Sequence, residues 1–154
     1  MRDDLVAFAS HFQRGNFIAE MKIFMTMKVP RAEAELRLAA DLFAATVEAT
    51  GHQPFVATDE IAQRGLTEPK DFMPFVREHL RSANLLILLN HPELRGGLIE
   101  AGMAYAWKIP IWLCHKPGER VSSSMRGCAD ATIEYITLDD LQDKLSSRLK
   151  EHVA

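Results

Sequence analysis

One carboxylate is conspicuous for its surroundings. Glu100 follows the pair Gly96-Gly97 and precedes a run of small residues, in the order Gly-Gly-Leu-Ile-Glu-Ala-Gly-Met-Ala-Tyr-Ala. Apolar runs over 84–89 and 109–113 flank this segment, and the pattern predicts a strand, a glycine-bearing turn, a helix and a second strand. Glu100 would then lie at the carboxyl edge of a parallel sheet, where open α/β folds bind ligands.

The chemistry of this carboxylate depends on its charge. In the first turn of a helix, the backbone amides and the helix dipole favour the ionised form, and an ionised carboxylate can act as a nucleophile. The simpler interpretation is a favourable first-turn acid with no catalytic role. The small residues Ala101, Gly102 and Ala104 let the helix pack closely on the sheet, and they favour a ligand pocket beside Glu100.

The remaining elements must position this carboxylate. Short apolar runs alternate with amphipathic stretches, which is typical of a parallel sheet covered by helices. We predict strands over 22–27, 54–57, 85–89, 109–114 and 133–136, and helices over 31–50, 71–82, 98–107 and 138–152. Gly51 is expected to end the first helix, and Pro74 to lie in the first turn of the second. Residues 58–70 are predicted as a loop with a helical turn at its start.

The expected fold class is a flavodoxin-like (Rossmann-like) doubly wound α/β domain. Its sheet would have five mostly parallel strands with helices on both faces. Residues 1–21 are predicted as an N-terminal helical extension and residues 22–154 as a single domain.

Composition argues against several classes of protein. With 154 residues, of which 47% are hydrophobic, the chain suits one globular domain. A net charge of −3 with scattered Lys and Arg argues against a nucleic-acid polymer or a membrane as partner. Cys114 and Cys128 are too few for a disulfide framework or a zinc cluster, and the histidines lack metal-ligand spacing. We expect a cytoplasmic protein with no metal and no cofactor.

Three segments, 83–89, 97–106 and 108–111, resemble the nucleoside 2-deoxyribosyltransferase family. In that family a glutamate in a G-x-x-x-E-x-G-x-A pattern attacks the anomeric carbon of the sugar, and Glu100 holds this position here. A further segment, 120–130, is similar to the one with which 2′-deoxynucleoside 5′-phosphate N-hydrolases hold the substrate phosphate. In those relatives it reaches the site of a neighbouring subunit. The resemblance therefore implies a nucleoside or nucleotide ligand and a homo-oligomer, either a dimer or a dimer of dimers.

The resemblance also assigns substrate-binding positions. They are the strand residue Phe24, the pair Gly96 and Gly97, and the serine segment Ser122, Ser123, Ser124 and Met125. Two further residues, Lys28 and Arg31, could hold a phosphate, but each could equally be a solvated surface charge.

The chain departs from the family pattern at four positions. The family's two aspartates fall on Val76 and Asn84, a polar residue falls on Leu94, and the first-strand tyrosine falls on Phe24. A proton for the departing base must then come from water or from another acid. The candidate acids are Asp59, Glu60, Asp71, Glu78 and Glu93.

We therefore predict an N-glycosidase that cleaves the base–sugar bond of a nucleoside 5′-monophosphate through Glu100. The serine segment favours the monophosphate, because a transferase of unphosphorylated nucleosides does not need a phosphate site. Two alternatives stay open: a nucleoside 2-deoxyribosyltransferase, and a nucleotide-binding or sensing domain with altered chemistry. A nucleotide-cleaving effector of the TIR type is a further possibility, although no TIR-specific motif is present.

Overall fold

The sheet consists of five short strands. In this computed structural model, which describes residues 19–152, they are β1 (Lys22–Thr26), β2 (Gln53–Val56), β3 (Leu85–Leu89), β4 (Ile111–His115) and β5 (Ala131–Glu134). Their order is β2-β1-β3-β4-β5, and every neighbouring pair is parallel. This is the flavodoxin-like order. The predicted fold class is confirmed, with a sheet that is wholly rather than mostly parallel.

Helices cover both faces of the sheet. They are α1 (Ala34–Ala49), α2 (Ala57–Gln63), α3 (Pro69–Arg81), α4 (Gly96–Ala106), α5 (Ser123–Cys128) and α6 (Leu138–His152). Helices α1 and α6 pack on one face, over a core that contains Ile23 and Met25. Residues of α3, α4 and α5 pack on the other face, over a core that contains Phe24. Because both faces are covered, β3 and β4 are buried along their whole length.

The strand order creates a crevice at one edge. Strands β1 and β3 are neighbours, yet the helices that follow them lie on opposite faces of the sheet. The connections over 27–33 and 90–95 therefore diverge from adjacent strand ends. Such a topological switch point is where doubly wound folds bind ligands.

The first helix differs from prediction at its start but not at its end. Helix α1 begins at Ala34 rather than at residue 31, because Arg31 has a positive φ of 44° and the Glu33 amide donates to the Pro30 carbonyl at 2.7 Å. Gly51, with φ of 83°, follows the helix as predicted.

Two short helices were not predicted. Helix α2 starts directly after β2 and spans 7 residues, where a loop with one helical turn was expected. Helix α5 spans 6 residues over the serine segment. Both are too short for a hydrophobic period of 3.6 residues to show in the sequence.

Two other helices begin earlier than predicted. Helix α3 starts at Pro69, so Pro74 lies inside the helix and not in its first turn, as was wrongly expected. Helix α4 starts at Gly96 rather than at residue 98, which moves Glu100 from the first turn into the second.

The predicted N-terminal helix over 1–21 lies outside the described residues except for 19–21, which belong to no helix. Within residues 19–152, no helix is long and apolar enough to cross a membrane.

Candidate functional site

Glu100 lies at the switch-point edge on the face covered by α4. Its side chain is nearly buried, with 7% exposure, and its Oε2 atom has no hydrogen-bond partner among the described residues. Burial raises the pKa of the Glu100 carboxyl, and a hydrogen bond from Thr26 offsets part of the rise. The expectation that helix-end amides favour ionisation was therefore wrong, because the carboxylate is one turn too far along the helix and is desolvated.

Thr26 is a residue of the site that the sequence analysis missed. It ends β1 and is 2% exposed, and hydrogen bonding by its side chain lowers the pKa of the Glu100 carboxyl. A signal for it was present, since Thr26 is the one polar residue in the run Ile-Phe-Met-Thr-Met, which otherwise predicts a wholly buried strand.

Gly97 allows the helix to approach β1. A Cβ atom on Gly97 would lie 2.7 Å from Thr26 Oγ1 and 2.8 Å from Leu94 Cδ1, which is closer than side-chain atoms approach one another. Gly96, by contrast, faces open space. The structure therefore gives Gly97 a packing role beside Glu100 and leaves Gly96 exposed at the start of α4.

A cavity of about 700 Å³ opens beside this edge. Its walls are the β3–α4 connection with the start of α4, and the segment before α5 with the start of α5. The lining residues are Asn90, His91, Pro92, Leu94, Leu98, Arg120, Val121, Ser122, Ser123 and Met125. An amide hydrogen bond of 3.3 Å from Asn90 to the Arg120 carbonyl joins the two walls. Three of the predicted binding residues, Ser122, Ser123 and Met125, therefore line one cavity.

Other parts of the binding prediction fall outside this cavity. Ser124 is exposed on α5 and is not part of the lining. Phe24 is fully buried and stacks on Phe55 with ring centroids 5.0 Å apart, so its ring presents no surface to a ligand in this structure. Arg120, the first residue of the segment 120–130, also lines the cavity, although it was not among the individually predicted binding residues.

Leu94 connects the cavity to the buried carboxyl. It lines the cavity and also packs against Gly97, which is one helical turn before Glu100. Glu100 itself is not part of the lining. The Leu94 side chain therefore forms the cavity wall on the side of the carboxylate.

A group of charged residues bridges the switch-point crevice. The Lys28 ammonium forms ion pairs with Glu33, at the start of α1, and with Glu93, in the β3–α4 connection. His91 Nε2 lies 3.7 Å from a Glu33 oxygen. Arg31 is exposed nearby. The Lys28 side chain thus links the two connections that diverge at the crevice. Its ammonium, which could have held a phosphate or been a solvated surface charge, is paired with two carboxylates.

The candidate acids lie in different environments. Hydrogen bonding to Lys28 holds the pKa of the Glu93 carboxyl below its ordinary value, so Glu93 is a poor proton donor. Asp59 accepts two hydrogen bonds of 2.7 Å from Arg37. Asp71 and Glu78 are exposed on α3.

The two missing family aspartates have different structural consequences. Val76 is buried in the core between α3 and the sheet. Asn84 lies at the opposite end of the sheet, where it accepts a hydrogen bond of 2.8 Å from the Lys22 amide. The change at position 84 is therefore remote from Glu100.

Within residues 19–152, no group of three or more His, Cys, Asp or Glu side chains is placed to hold a metal ion.

Comparison with known proteins gives a fold relationship. No protein-family model and no curated protein matches the chain. Among solved structures, a CMP N-glycosidase from Clostridium botulinum superposes with a TM-score of 0.69 at 17% identity, covering 82% of this chain and 98% of that one. A conserved protein from Enterococcus faecalis V583 gives 0.64 at 17% identity, with coverages of 84% and 99%.

A third neighbour is the 2-deoxyribosyltransferase from Bacillus psychrosaccharolyticus, with a TM-score of 0.60 at 18% identity and coverages of 83% and 95%. At these identities the comparisons establish a shared fold. The chain therefore has the fold of a CMP N-glycosidase and of a 2-deoxyribosyltransferase.

Proposed function

We propose that the protein is an N-glycosidase that cleaves the base–sugar bond of a nucleoside 5′-monophosphate, with Glu100 as the nucleophile. The observation that carries the proposal is the buried carboxylate with an unpaired oxygen at the switch-point edge, next to a cavity lined by Ser122, Ser123 and Arg120. The activities named for two neighbours of the same fold support it.

The cavity suits a phosphorylated ligand. Its volume is within the range of small-molecule sites. Arg120 supplies a positive charge and the two serines supply hydroxyl donors, which are the groups that bind phosphate oxygens most strongly. We assign the 5′-phosphate to the end of the cavity that is lined by Arg120, Ser122 and Ser123, and the sugar to the end beside Leu94.

The proposed reaction is a double displacement. A Glu100 oxygen attacks C1′, the C1′–N bond breaks with its electron pair on the base, and the base takes a proton from water. Water then attacks C1′ of the glycosyl ester, which frees the sugar phosphate and restores the carboxylate. Retaining glycosidases use a second carboxyl group as the acid. No charged side chain among the described residues affects the pKa of Glu100, and the proposed reaction therefore takes the proton for the base from water.

The missing second carboxyl group favours one alternative. A nucleotide-binding or sensing domain needs the cavity but not an acid for the leaving group. Intact nucleotide would then raise the melting temperature while no free base forms over hours. A 2-deoxyribosyltransferase, the other alternative, would transfer the sugar to an added base instead of to water.

We also propose self-association through α4. Its solvent-facing side carries Leu98, Ile99 and Tyr105, which are 46%, 57% and 60% exposed, with no charge between them. Gly102 lies on the same face, one turn from each end of this stripe, and lets a second backbone approach. Since Leu98 also lines the cavity, a second copy packed there would lie beside the site.

Replacement of Glu100 tests the nucleophile. Purified protein is incubated with a panel of nucleosides, their 5′-monophosphates and NAD, and free base is measured by chromatography. We expect base from a monophosphate with wild type and at least a 10³-fold loss with Glu100→Gln, because the amide is a poor nucleophile. The rate should rise with pH through the raised pKa of Glu100. Undiminished release by the variant would remove Glu100 from the mechanism.

The buried charge of Glu100 should lower the melting temperature of the protein. The folded-state pKa of Glu100 is above its unfolded value, so its contribution to stability is lost as pH rises through the folded-state pKa. Glu100→Gln should therefore melt higher than wild type at pH 8, by roughly 2–4 °C for each kcal/mol. The difference should shrink on acidification, as the wild-type carboxyl becomes neutral. Equal or lower stability of the variant at pH 8 would contradict a desolvated carboxylate.

The two adjacent serines form a matched pair of variants. Ser123 lines the cavity and Ser124 does not. Ser123→Ala should raise the KM for a monophosphate roughly tenfold, the effect of one charge-assisted hydrogen bond, and leave kcat nearly unchanged. Ser124→Ala should change neither constant. Equal effects of Ser123→Ala on monophosphates and on unphosphorylated nucleosides would argue against a phosphate role.

The α4 surface is tested by sedimentation. We expect wild type to sediment as a dimer or larger oligomer and Ile99→Asp to sediment as a monomer, because a buried unpaired charge opposes association. Leu38→Asp is the control, since Leu38 is a similarly exposed leucine (58%) on α1. A monomeric wild type would contradict the proposal.

A further inference from the structure

We propose that Thr26 is a positioning residue for Glu100: seated against Gly97, its hydroxyl donates a hydrogen bond to the Glu100 carboxylate and orients that carboxylate for attack. The proposal rests on the proposed role of Glu100 as nucleophile. The packing of the core does not require the hydroxyl of Thr26, and a role beside Glu100 explains its presence.

The strand fixes where Thr26 points. Residues 24 and 26 face the same side of the sheet, and their neighbours on that face, Phe24, Leu86 and Leu88, are all fully buried apolar residues. Threonine is branched at Cβ and therefore restricted in χ1. A valine would satisfy this packing equally well, so the hydroxyl needs a separate reason.

Gly97 provides the seat for that hydroxyl. The Oγ1 atom lies 2.7 Å from the place that a Cβ on Gly97 would occupy. Positions 97 and 100 are three residues apart and lie on the same helical face. An oxygen seated at Gly97 is therefore directed along the face that carries Glu100.

The burial of the Glu100 carboxyl makes a hydrogen bond from Thr26 important for its ionised form. The carboxyl is almost fully buried, and no charged side chain among residues 19–152 contributes to its shift. A hydrogen bond to the ionised form favours that form. The Thr26 hydroxyl is thus the group that supports the charged nucleophile, whose buried Oε2 has no hydrogen-bond partner among the described residues.

The test compares two substitutions of Thr26. Thr26→Val keeps the shape and removes the hydroxyl, whereas Thr26→Ser keeps the hydroxyl. The titration of the Glu100 carboxyl is followed by ¹³C NMR with labelled glutamate, and its signal is assigned with Glu100→Gln. We expect the valine variant to raise the midpoint by about one pH unit, a tenfold loss of ionised form below the midpoint, and the serine variant to leave it within a few tenths.

Base release supplies the second readout. The valine variant should lower kcat at least tenfold with little change in KM, and should move the acidic limb of the pH profile upwards, while the serine variant retains both. Gly97→Ala, whose Cβ displaces the hydroxyl, should resemble the valine variant in both readouts.

A midpoint unchanged in the valine variant would overturn the proposal. The NMR titration needs no substrate, so its outcome is separate from the proposed function. A shifted midpoint in a protein that releases no base from any compound would retain the Thr26 contact and reject the glycosidase. Base release together with an unshifted midpoint would retain the glycosidase and reject the Thr26 contact.

Discussion

The close packing of α4 on the end of β1 is the contact on which the site depends. Gly97 permits it, because any side chain there would collide with Thr26 and Leu94. The same approach buries Glu100 one turn later and removes its carboxyl from water. A buried acid with one unpaired oxygen destabilises a fold, and such features are retained most often where they perform chemistry.

The topology determines what surrounds that contact. Because the connections after β1 and β3 leave towards opposite faces, a crevice opens at the strand ends, and the cavity lies next to it on the β3 and β4 side. Lys28 bridges the crevice through Glu33 and Glu93.

Sequence reasoning predicted the sheet because its physical signal is strong. The uninterrupted apolar runs of β3 and β4 and the amphipathic helices around them indicate a parallel sheet without further information. It also selected Glu100 and the serine segment. The predictions were wrong where the outcome depends on the exact residue at which a helix begins. The two-residue error at the start of α4 reversed the expected electrostatics of Glu100, because a dipole effect acts over the first turn only.

The side chains that complete the site could not be read from spacing. Thr26 is the last residue of β1, and only the fold places it beside Gly97 and Glu100. Phe24 was assigned by alignment to a tyrosine, but its ring lies in the core. Gly97 was predicted to bind substrate, and the structure shows that it permits the helix–strand contact.

The proposed reaction requires a covalent bond between Glu100 and the sugar. The direct measurement is mass spectrometry of protein quenched in acid during turnover of a nucleoside 5′-monophosphate, followed by peptide mapping. We expect an added sugar phosphate on the peptide that contains Glu100, and no such addition in Glu100→Gln. Free base with no adduct, or an adduct on another peptide, would contradict it.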